Sequence, residues 1–283
     1  MIHSIEKGIW DRTILSGLSP AKVAILDADT YLYLATAAGD FSESRMLLDR
    51  LILKTLQETG CRLYMPYLTD TGNIFRNDIS KVRPYKGNRD GKVSPLLLPS
   101  LRLYAMREWN FMVCQRLEAD DCVAYTHGLT SQYPDLHFTV CSPDKDVLRQ
   151  LPGRHYNYQK GEYHITSPTD AQRFLWSQVL SGDSVDGIPG IPGIGGVKAK
   201  AVLDVARKER DFPLLSLRAY MNHFKEVEAV HRFKETFDLV YLLRQQDDYF
   251  RHGLALPRIE MYDLKDFINI MRDEAGGSVD PSA

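Results

Sequence analysis

The sequence has 283 residues, of which 44% are hydrophobic and 25% charged, and its formal net charge is −2 at neutral pH. This apolar content can build the core of one large domain or two small ones, and the net charge alone does not indicate a polyanionic partner. No apolar run is long enough for a membrane span and the first residues lack the apolar region of a signal peptide, so we expect a cytoplasmic protein without membrane contact.

The four cysteines, Cys61, Cys114, Cys122 and Cys141, form neither a C-x-x-C pair nor a zinc-binding spacing. In a cytoplasmic protein we expect them to be reduced and mostly buried thiols.

The first predicted elements alternate between strands and a helix. Residues 22–29, "KVAILDAD", are typical of a short buried strand that ends in acidic residues. Apolar spacing predicts a helix over residues 41–60, with Gly60 as its C-terminal cap, and residues 62–70 predict the next strand.

The same alternation continues to about residue 167. We expect a helix in "PLLLPSLRLYAMREW", a strand in "FMVCQRLEADD" that leads into the helix "DDCVAYTHGL", and a strand in "LHFTVCSPDKD". Strands that alternate with helices predict an α/β fold with a mainly parallel central sheet and flanking helices.

From Pro168 onward the pattern is almost wholly helical, and residues 182–203, "GDSVDGIPGIPGIGGVKAKAVL", form a glycine-rich turn within it. We therefore predict an α/β part over residues 1–167, a helical part over residues 168–274, and a disordered tail over residues 275–283.

Acidic residues follow four of the predicted strands. The carboxyl ends of parallel strands share one edge of a sheet, where ligands bind, so these residues are expected to lie close together. A single such acid is more often a helix cap or a solvated loop residue, and Asp29 and Asp78 are assigned to that class. The expected cluster consists of Asp27, Asp70, Glu118, Asp120, Asp121, Asp144 and Asp146, joined by Asp183 and Asp186 from the helical part.

So many carboxylates in one cleft repel one another unless cations neutralise them. Oxygen ligands without histidine or cysteine favour Mg²⁺ or Mn²⁺ over zinc. Two such ions about 3.5–4 Å apart are the arrangement for phosphodiester hydrolysis. The acids therefore indicate metal-dependent phosphoryl chemistry.

A basic segment follows Asp70 directly. Residues 75–92 carry six Lys or Arg against two Asp, and Lys86 and Arg89 are spaced so that both can reach one phosphate. Tyr85 offers a ring for base stacking. A solvated loop is the usual role of such a charge run, but its position beside the acids favours a nucleic-acid substrate. We expect Lys86, Arg89 and Tyr85 to act in catalysis, and Arg76 and Arg83 to contact DNA.

The glycine-rich turn has the pattern of a helix–hairpin–helix. From Gly193 it reads G-x-G-x-x-x-A with trailing apolar residues, and Lys198 and Lys200 follow the glycines. Backbone amides at the start of its second helix can bind a phosphate without reading base sequence. Gly193, Gly195, Lys198 and Lys200 are therefore candidate DNA contacts, beside the acids Asp183 and Asp186.

The motifs "ILDAD", "YKGNR", "LEADD", "SPDKD" and "GDSVDGIPGIPGIG", in this order, resemble those of the 5′-nuclease (flap endonuclease) superfamily. The likeness extends from about Val23 to Leu203. It is strongest to stand-alone bacteriophage 5′→3′ exonucleases and to the 5′-nuclease domain of bacterial DNA polymerase I. The resemblance implies a PIN-like nuclease core, a helix–hairpin–helix, and DNA with a 5′ end, nick or flap as substrate, in a bacterial or phage-infected cell. We expect a monomer.

The resemblance also implies a division of the acids between two Mg²⁺ or Mn²⁺ sites. One site would use the acids Asp27, Asp70, Glu118, Asp120 and Asp144. The other would use Asp121, Asp146, Asp183 and Asp186. Lys86 and Arg89 correspond to the basic pair on the scissile phosphate, and backbone carbonyls between Val185 and Ile194 would bind K⁺.

Two questions stay open at this stage. Only 28 residues separate Arg89 from Glu118, where relatives with a longer arch have more, so either a threaded 5′ end or a short bridge over duplex ends is compatible. "LDADT" and "GDSVD" also resemble motifs of haloacid-dehalogenase-type phosphatases, and a non-catalytic DNA-binding module on a nuclease scaffold is the other alternative.

Overall fold

The computed structural model describes residues 3–4, 21–89, 91 and 93–264. The expected disordered tail at residues 275–283 lies outside the described residues, as does the end of the predicted helical part. No helix in the described ranges is long and apolar enough to cross a membrane.

A mostly parallel sheet forms the centre of the molecule, and its outer strands include antiparallel ones. The strands are β1 (His3–Ser4), β2 (Ala21–Asp27), β3 (Leu63–Thr69), β4 (Met112–Cys114), β5 (Leu136–Cys141), β6 (Gly153–Asn157), β7 (Glu162–Thr166) and β10 (Glu260–Asp263); β8 (Gly182–Asp183) and β9 (Ile188–Pro189) form a separate ribbon. The strand order of the sheet is β1-β10-β3-β2-β5-β6-β7, and β4 pairs with the carboxyl end of β3. β2, β3, β4 and β5 run parallel, which confirms the predicted α/β class with a mainly parallel sheet.

Helices cover the sheet and build the C-terminal half. They are α1 (Asp29–Ala35), α2 (Phe41–Thr59), α3 (Phe75–Ile79), α4 (Leu98–Glu108), α5 (Ala119–Leu129), α6 (Lys145–Gln150), α7 (Pro168–Ser181), α8 (Gly196–Asp204), α9 (Phe212–His223), α10 (Glu226–Val240) and α11 (Gln246–Arg251).

The second helix shows how the local sequence sets its own boundaries. Asp40 caps the amino end of α2 by accepting from the Glu43 amide at 2.9 Å. Gly60 ends the helix with φ of +67°, a left-handed conformation that glycine adopts without steric cost, so the predicted cap is confirmed. Between these ends, Leu48, Ile52 and Leu56 recur at helical spacing and are buried against the sheet.

Two hydrophobic clusters follow the two halves of the chain. One surrounds the sheet, and the other lies among α7, α8, α9 and α10. The chain then returns to the first cluster, where Leu242, Leu243 and Tyr249 are buried. The division at residue 167 stays a prediction.

Three sequence-based expectations differ from the structure. The C-terminal part is not almost wholly helical, because Glu260–Asp263 pairs antiparallel with β3. The hairpin of β6 and β7 is a further antiparallel addition that the strand pattern did not predict. Cys114 and Cys122 are not free thiols but form a disulfide between β4 and α5, whose Cα atoms lie 6.5 Å apart; Cys61 and Cys141 are buried free thiols, as expected.

Candidate active site

The strands deliver acidic residues to one edge of the sheet. Asp27 is the last residue of β2, and Asp70 directly follows β3. Glu118 precedes α5 and Asp144 caps the amino end of α6, after β4 and β5 respectively. All four positions lie at the carboxyl ends of parallel strands, the edge at which the sequence placed them.

A buried arginine occupies the middle of this edge. Arg76 is 1% exposed, and its guanidinium donates to Glu118 at 3.0 Å and to both carboxylate oxygens of Asp121. Its remaining donors bind the backbone carbonyls of Leu239 and Tyr241, each at 3.0 Å. Arg76 was predicted as a DNA contact, but its burial places it inside the protein as a counter-ion. Arg76, which lies in α3, thereby links this helix to the start of α5 and to the end of α10.

The basic segment points into the acids. The Lys86 ammonium makes a short hydrogen bond to Glu118 and lies 3.7 Å from Asp186. The Tyr85 hydroxyl donates to Glu118 at 2.7 Å, and the Arg89 guanidinium donates to Asp186 at 2.9 Å. Although burial opposes ionisation, Arg76 and Lys86 hold the pKa of Glu118 below its usual range. Arg83, in contrast, is exposed.

The ribbon of β8 and β9 brings in the acids from the second half of the chain. Asp183, which is 5% exposed, accepts from the Lys145 ammonium at 2.6 Å and from the Val185 amide at 2.8 Å. Gln178 donates to Asp146 at 2.8 Å, so α7 also fixes the position of the Asp146 carboxylate. The Asp186 side chain contacts Lys86 and Arg89, and its backbone carbonyl accepts from the Lys86 amide at 2.8 Å.

Three carboxylates have raised pKa values, because their partners do not offset the cost of burial. Burial, followed by neighbouring acids, raises the pKa of Asp27 to about 7 despite a 2.6 Å hydrogen bond from Ser142. Burial and Asp144 likewise raise the pKa of Asp146 to about 7. In the described part of the chain, Oδ1 of Asp120 is buried without a hydrogen-bond partner, and burial raises the pKa of Asp120 well above its usual value. Additional positive charge at this edge would favour the ionised form of all three groups.

Asp70 differs from the other acids. Its two oxygens accept from the backbone amides of Gly72 at 3.0 Å and Arg116 at 2.7 Å. Those bonds, against the opposing effect of burial, lower the pKa of Asp70. Asp29 begins α1 and accepts from the Thr69 amide, and Asp78 lies within α3 and pairs with Arg116. Neither is the helix cap or solvated loop residue that the sequence suggested, because Ala28 and Ile74 precede these two helices as their caps.

The donor set fits divalent cations by its chemistry. The nine predicted acids are all oxygen donors, and four cationic side chains pair with them among the described residues: Arg76, Lys86, Arg89 and Lys145. Five negative charges are left uncompensated when all nine are ionised. No three metal-binding side chains in the described ranges converge closely enough to share an ion. The ammonium groups of Lys86 and Lys145 bind oxygens of Glu118 and Asp183 that a metal ion would also use.

Sequence reasoning missed two residues of this site. Lys145 stands between the predicted ligands Asp144 and Asp146, and that position alone could have drawn attention to it. Gln178 lies on α7, five residues before Asp183, and nothing in the local pattern distinguishes it from an ordinary helical glutamine.

The glycine-rich turn joins α7 to α8. Gly193 has φ of +76°, and Gly193 and Gly195 leave open space where a side chain would stand, so their backbone is accessible. Lys198 donates to the Gly193 carbonyl at 2.8 Å, and the Lys200 ammonium pairs with Asp204. Both lysine side chains are exposed. The role of this turn as a helix–hairpin–helix that contacts DNA stays a prediction.

Comparison with known proteins gives matches in structure only. Neither a protein-family model nor a curated protein matches the sequence. A bacteriophage T5 D15 flap endonuclease pseudo-enzyme–product complex with DNA and metal ions matches with a TM-score of 0.61 and 16% identity, over 90% of this chain and 99% of that chain. T5 D15 protein co-crystallised with metal ions matches with a TM-score of 0.59 and 17% identity, over 88% and 99%.

A third match is T5 5′-exonuclease with bound divalent zinc ions, with a TM-score of 0.58 and 16% identity over 88% of this chain and 99% of that one. The likeness spans nearly the whole of both chains, so the fold agrees well beyond the motif region. The resemblance to 5′-nucleases is therefore confirmed at the level of the fold, and this chain has the fold of bacteriophage T5 5′-exonuclease.

Proposed function

We propose that this protein is a divalent-metal-dependent 5′-nuclease that hydrolyses phosphodiester bonds of DNA, as a structure-dependent 5′→3′ exonuclease or flap endonuclease in replication or repair. The observation that carries the proposal is the excess of buried and half-buried carboxylates at the carboxyl edge of the sheet. An excess of this kind has no structural benefit to the protein by itself, because each uncompensated buried charge is costly.

Two Mg²⁺ or Mn²⁺ ions bound there would supply an activated water and stabilise the leaving oxygen. The first ion would be held by acids at the carboxyl ends of β2, β3 and β5 and at the start of α5, and the second by acids of α5, α6 and the ribbon. The expected first group is Asp27, Asp70, Glu118, Asp120 and Asp144; the second is Asp121, Asp146, Asp183 and Asp186. Each Asp70 oxygen accepts one backbone amide bond and keeps a second lone pair, with which it could still ligate an ion.

The basic side chains then position the substrate. Lys86 and Arg89 both contact Asp186. A scissile phosphate could replace the carboxylate as the partner of the ammonium and guanidinium groups. Tyr85 is held by Glu118 through its hydroxyl, which fixes the orientation of the ring beside Lys86. The open backbone at Gly193 and Gly195, with Lys198 and Lys200 nearby, would hold the duplex away from the cut, and carbonyls between Val185 and Ile194 would take K⁺.

The test uses DNA labelled at the 5′ or the 3′ end, as duplex, nicked duplex, flap and closed circle, with Mg²⁺, Mn²⁺ or EDTA. We expect cleavage from free 5′ ends or at flaps with either metal, no cleavage of closed circles, and no activity in EDTA. Digestion that starts at 3′ ends would contradict the polarity. Hydrolysis of an aryl phosphate without any DNA cleavage would instead support a phosphatase, and DNA binding without cleavage a non-catalytic module.

A further inference from the structure

Lys145 bridges carboxylates of the second group of acids. Its ammonium lies 2.6 Å from Oδ2 of Asp183 and 3.8 Å from Oδ1 of Asp146. Asp144 and Asp146 flank it in sequence, at the amino end of α6. One flexible cation thus stands among three acids that come from two separate elements.

The two partners differ in their freedom to move. The side chain of Lys145 is 51% exposed, whereas that of Asp183 is 5% exposed and is also held by Gln178 and the Val185 amide. Moving the ammonium into solvent breaks its contacts with Asp183 and Asp146 and regains its hydration, whereas Asp183 cannot leave without also losing its bonds to Gln178 and the Val185 amide. Arg76 offers the opposite case, because it is buried and bonded at every donor to fixed groups.

We propose that Lys145 is a displaceable counter-ion, which partly neutralises Asp183 and Asp146 in the metal-free protein and leaves when a divalent ion binds. The proposal rests on the proposed metal-dependent function. Because an ion and the ammonium compete for the Asp183 and Asp146 oxygens, Lys145 lowers the affinity for metal while it stabilises the metal-free fold. Lys145 is a positioning residue of the metal-free protein and need not touch the substrate.

The variant Lys145→Met replaces the ammonium-bearing side chain by an uncharged, unbranched side chain that is one atom shorter. We expect its metal-free form to melt at a lower temperature than wild type, and its apparent Kd for Mn²⁺, measured without DNA by calorimetric titration, to be about tenfold tighter. Lys160→Met is the matched control, because the Lys160 side chain is exposed and its ion pair within the described ranges is a 3.8 Å contact with Glu162. It should change neither quantity.

The competition is expected to act mainly at Asp183, the nearer of the two partners of Lys145. In the Asp183→Asn background, Lys145→Met should therefore tighten Mn²⁺ binding by clearly less than the tenfold expected in the wild-type background. An Mn²⁺ affinity that is unchanged or weaker in Lys145→Met would overturn this proposal while leaving the nuclease assignment intact. Wild-type protein that binds no Mn²⁺ at all would instead overturn both.

Discussion

At the residue scale, Lys86 is placed to act on charge that develops during the reaction. Its ammonium lies between Glu118 and Asp186, and the Lys86 side chain is 23% exposed, so a phosphate can approach it. A group used mainly in the transition state changes the rate more than the affinity. We expect Lys86→Ala to bind duplex DNA within a fewfold of wild type and to cleave on the order of 10²–10³ times more slowly in single turnover.

The comparison is made with a binding titration in Ca²⁺ and with Lys86→Arg. The arginine variant should recover only part of the rate, because its charge is more diffuse. Weak binding of Lys86→Ala combined with a normal rate at saturation would show that Lys86 is an ordinary phosphate anchor.

Asp120 should lower the stability of the metal-free protein. One of its oxygens is buried without a partner, and Asp121 and Glu118 add like charge. Asp120→Asn removes that charge and is expected to raise the free energy of unfolding in EDTA by about 1 kcal/mol while abolishing cleavage. Denaturant unfolding measures the change. Asp204→Asn is the control, because Asp204 is paired with Arg173 and Lys200 and should give no gain.

Sequence reasoning located the acids at the sheet edge because the carboxyl ends of parallel strands define that edge. It could not separate them by role. Asp70 is bonded to two backbone amides and Asp121 to a buried arginine, and both depend on contacts with distant parts of the chain. Arg76 looked like part of a solvated basic segment, since its burial depends on the carbonyls of Leu239 and Tyr241.

At the scale of elements, the ribbon of β8 and β9 aims Asp183 and Asp186 and depends on close backbone packing. A Cβ atom at Gly190 would lie 2.2 Å from the carbonyl carbon of Ser181 and 2.3 Å from the Gly182 amide. Backbone cannot move aside as a flexible side chain can. We expect Gly190→Ala to lower the free energy of unfolding by at least about 3 kcal/mol.

Gly196→Ala gives the matched contrast, because a Cβ there meets nothing within 4 Å and the position begins α8. It should leave stability unchanged or slightly higher. Thermal melts of the two variants decide the matter, and a Gly190→Ala protein as stable as wild type would show that the ribbon tolerates rearrangement.

Elements with a strong apolar period were predictable, such as α2 with its caps and the strands β2 and β3. The elements that failed depend on partners far away in sequence. β10 is four residues long and acquires its structure by pairing with β3, about 200 residues earlier. Short strands of this kind carry too few alternations to be recognised from their own sequence.

At the scale of the whole molecule, buried histidines should make metal-free stability depend on pH. Burial, with His155 and Arg244 nearby, lowers the pKa of His127 to about 4. The unfolded chain takes up this proton near its ordinary pKa of 6.5, so the contribution of His127 is complete above pH 6.5 and is lost as pH falls towards 4. We expect a loss on the order of 1–3 kcal/mol over this window.

The measurement is denaturant unfolding in EDTA of wild type and His127→Gln from pH 4 to 7. The raised pKa values of Asp27 and Asp146 act in the opposite direction and lower stability as pH rises from 4 to 7. Because both acids are present in the two proteins, the difference between the two stability curves isolates the contribution of His127. His137→Gln, at an exposed position of β5, should follow wild type. A His127→Gln curve parallel to wild type would contradict the assignment.

The central claim is that the carboxylates gathered at the sheet edge bind the metal ions that cleave DNA. The most direct test is single-turnover cleavage of a 5′-labelled duplex beside a DNA-binding titration, for wild type and Asp183→Asn at increasing Mn²⁺. The account predicts metal-dependent cleavage by wild type, and for Asp183→Asn a loss of cleavage with DNA binding retained. Full cleavage by Asp183→Asn, or by wild type in EDTA, would contradict it.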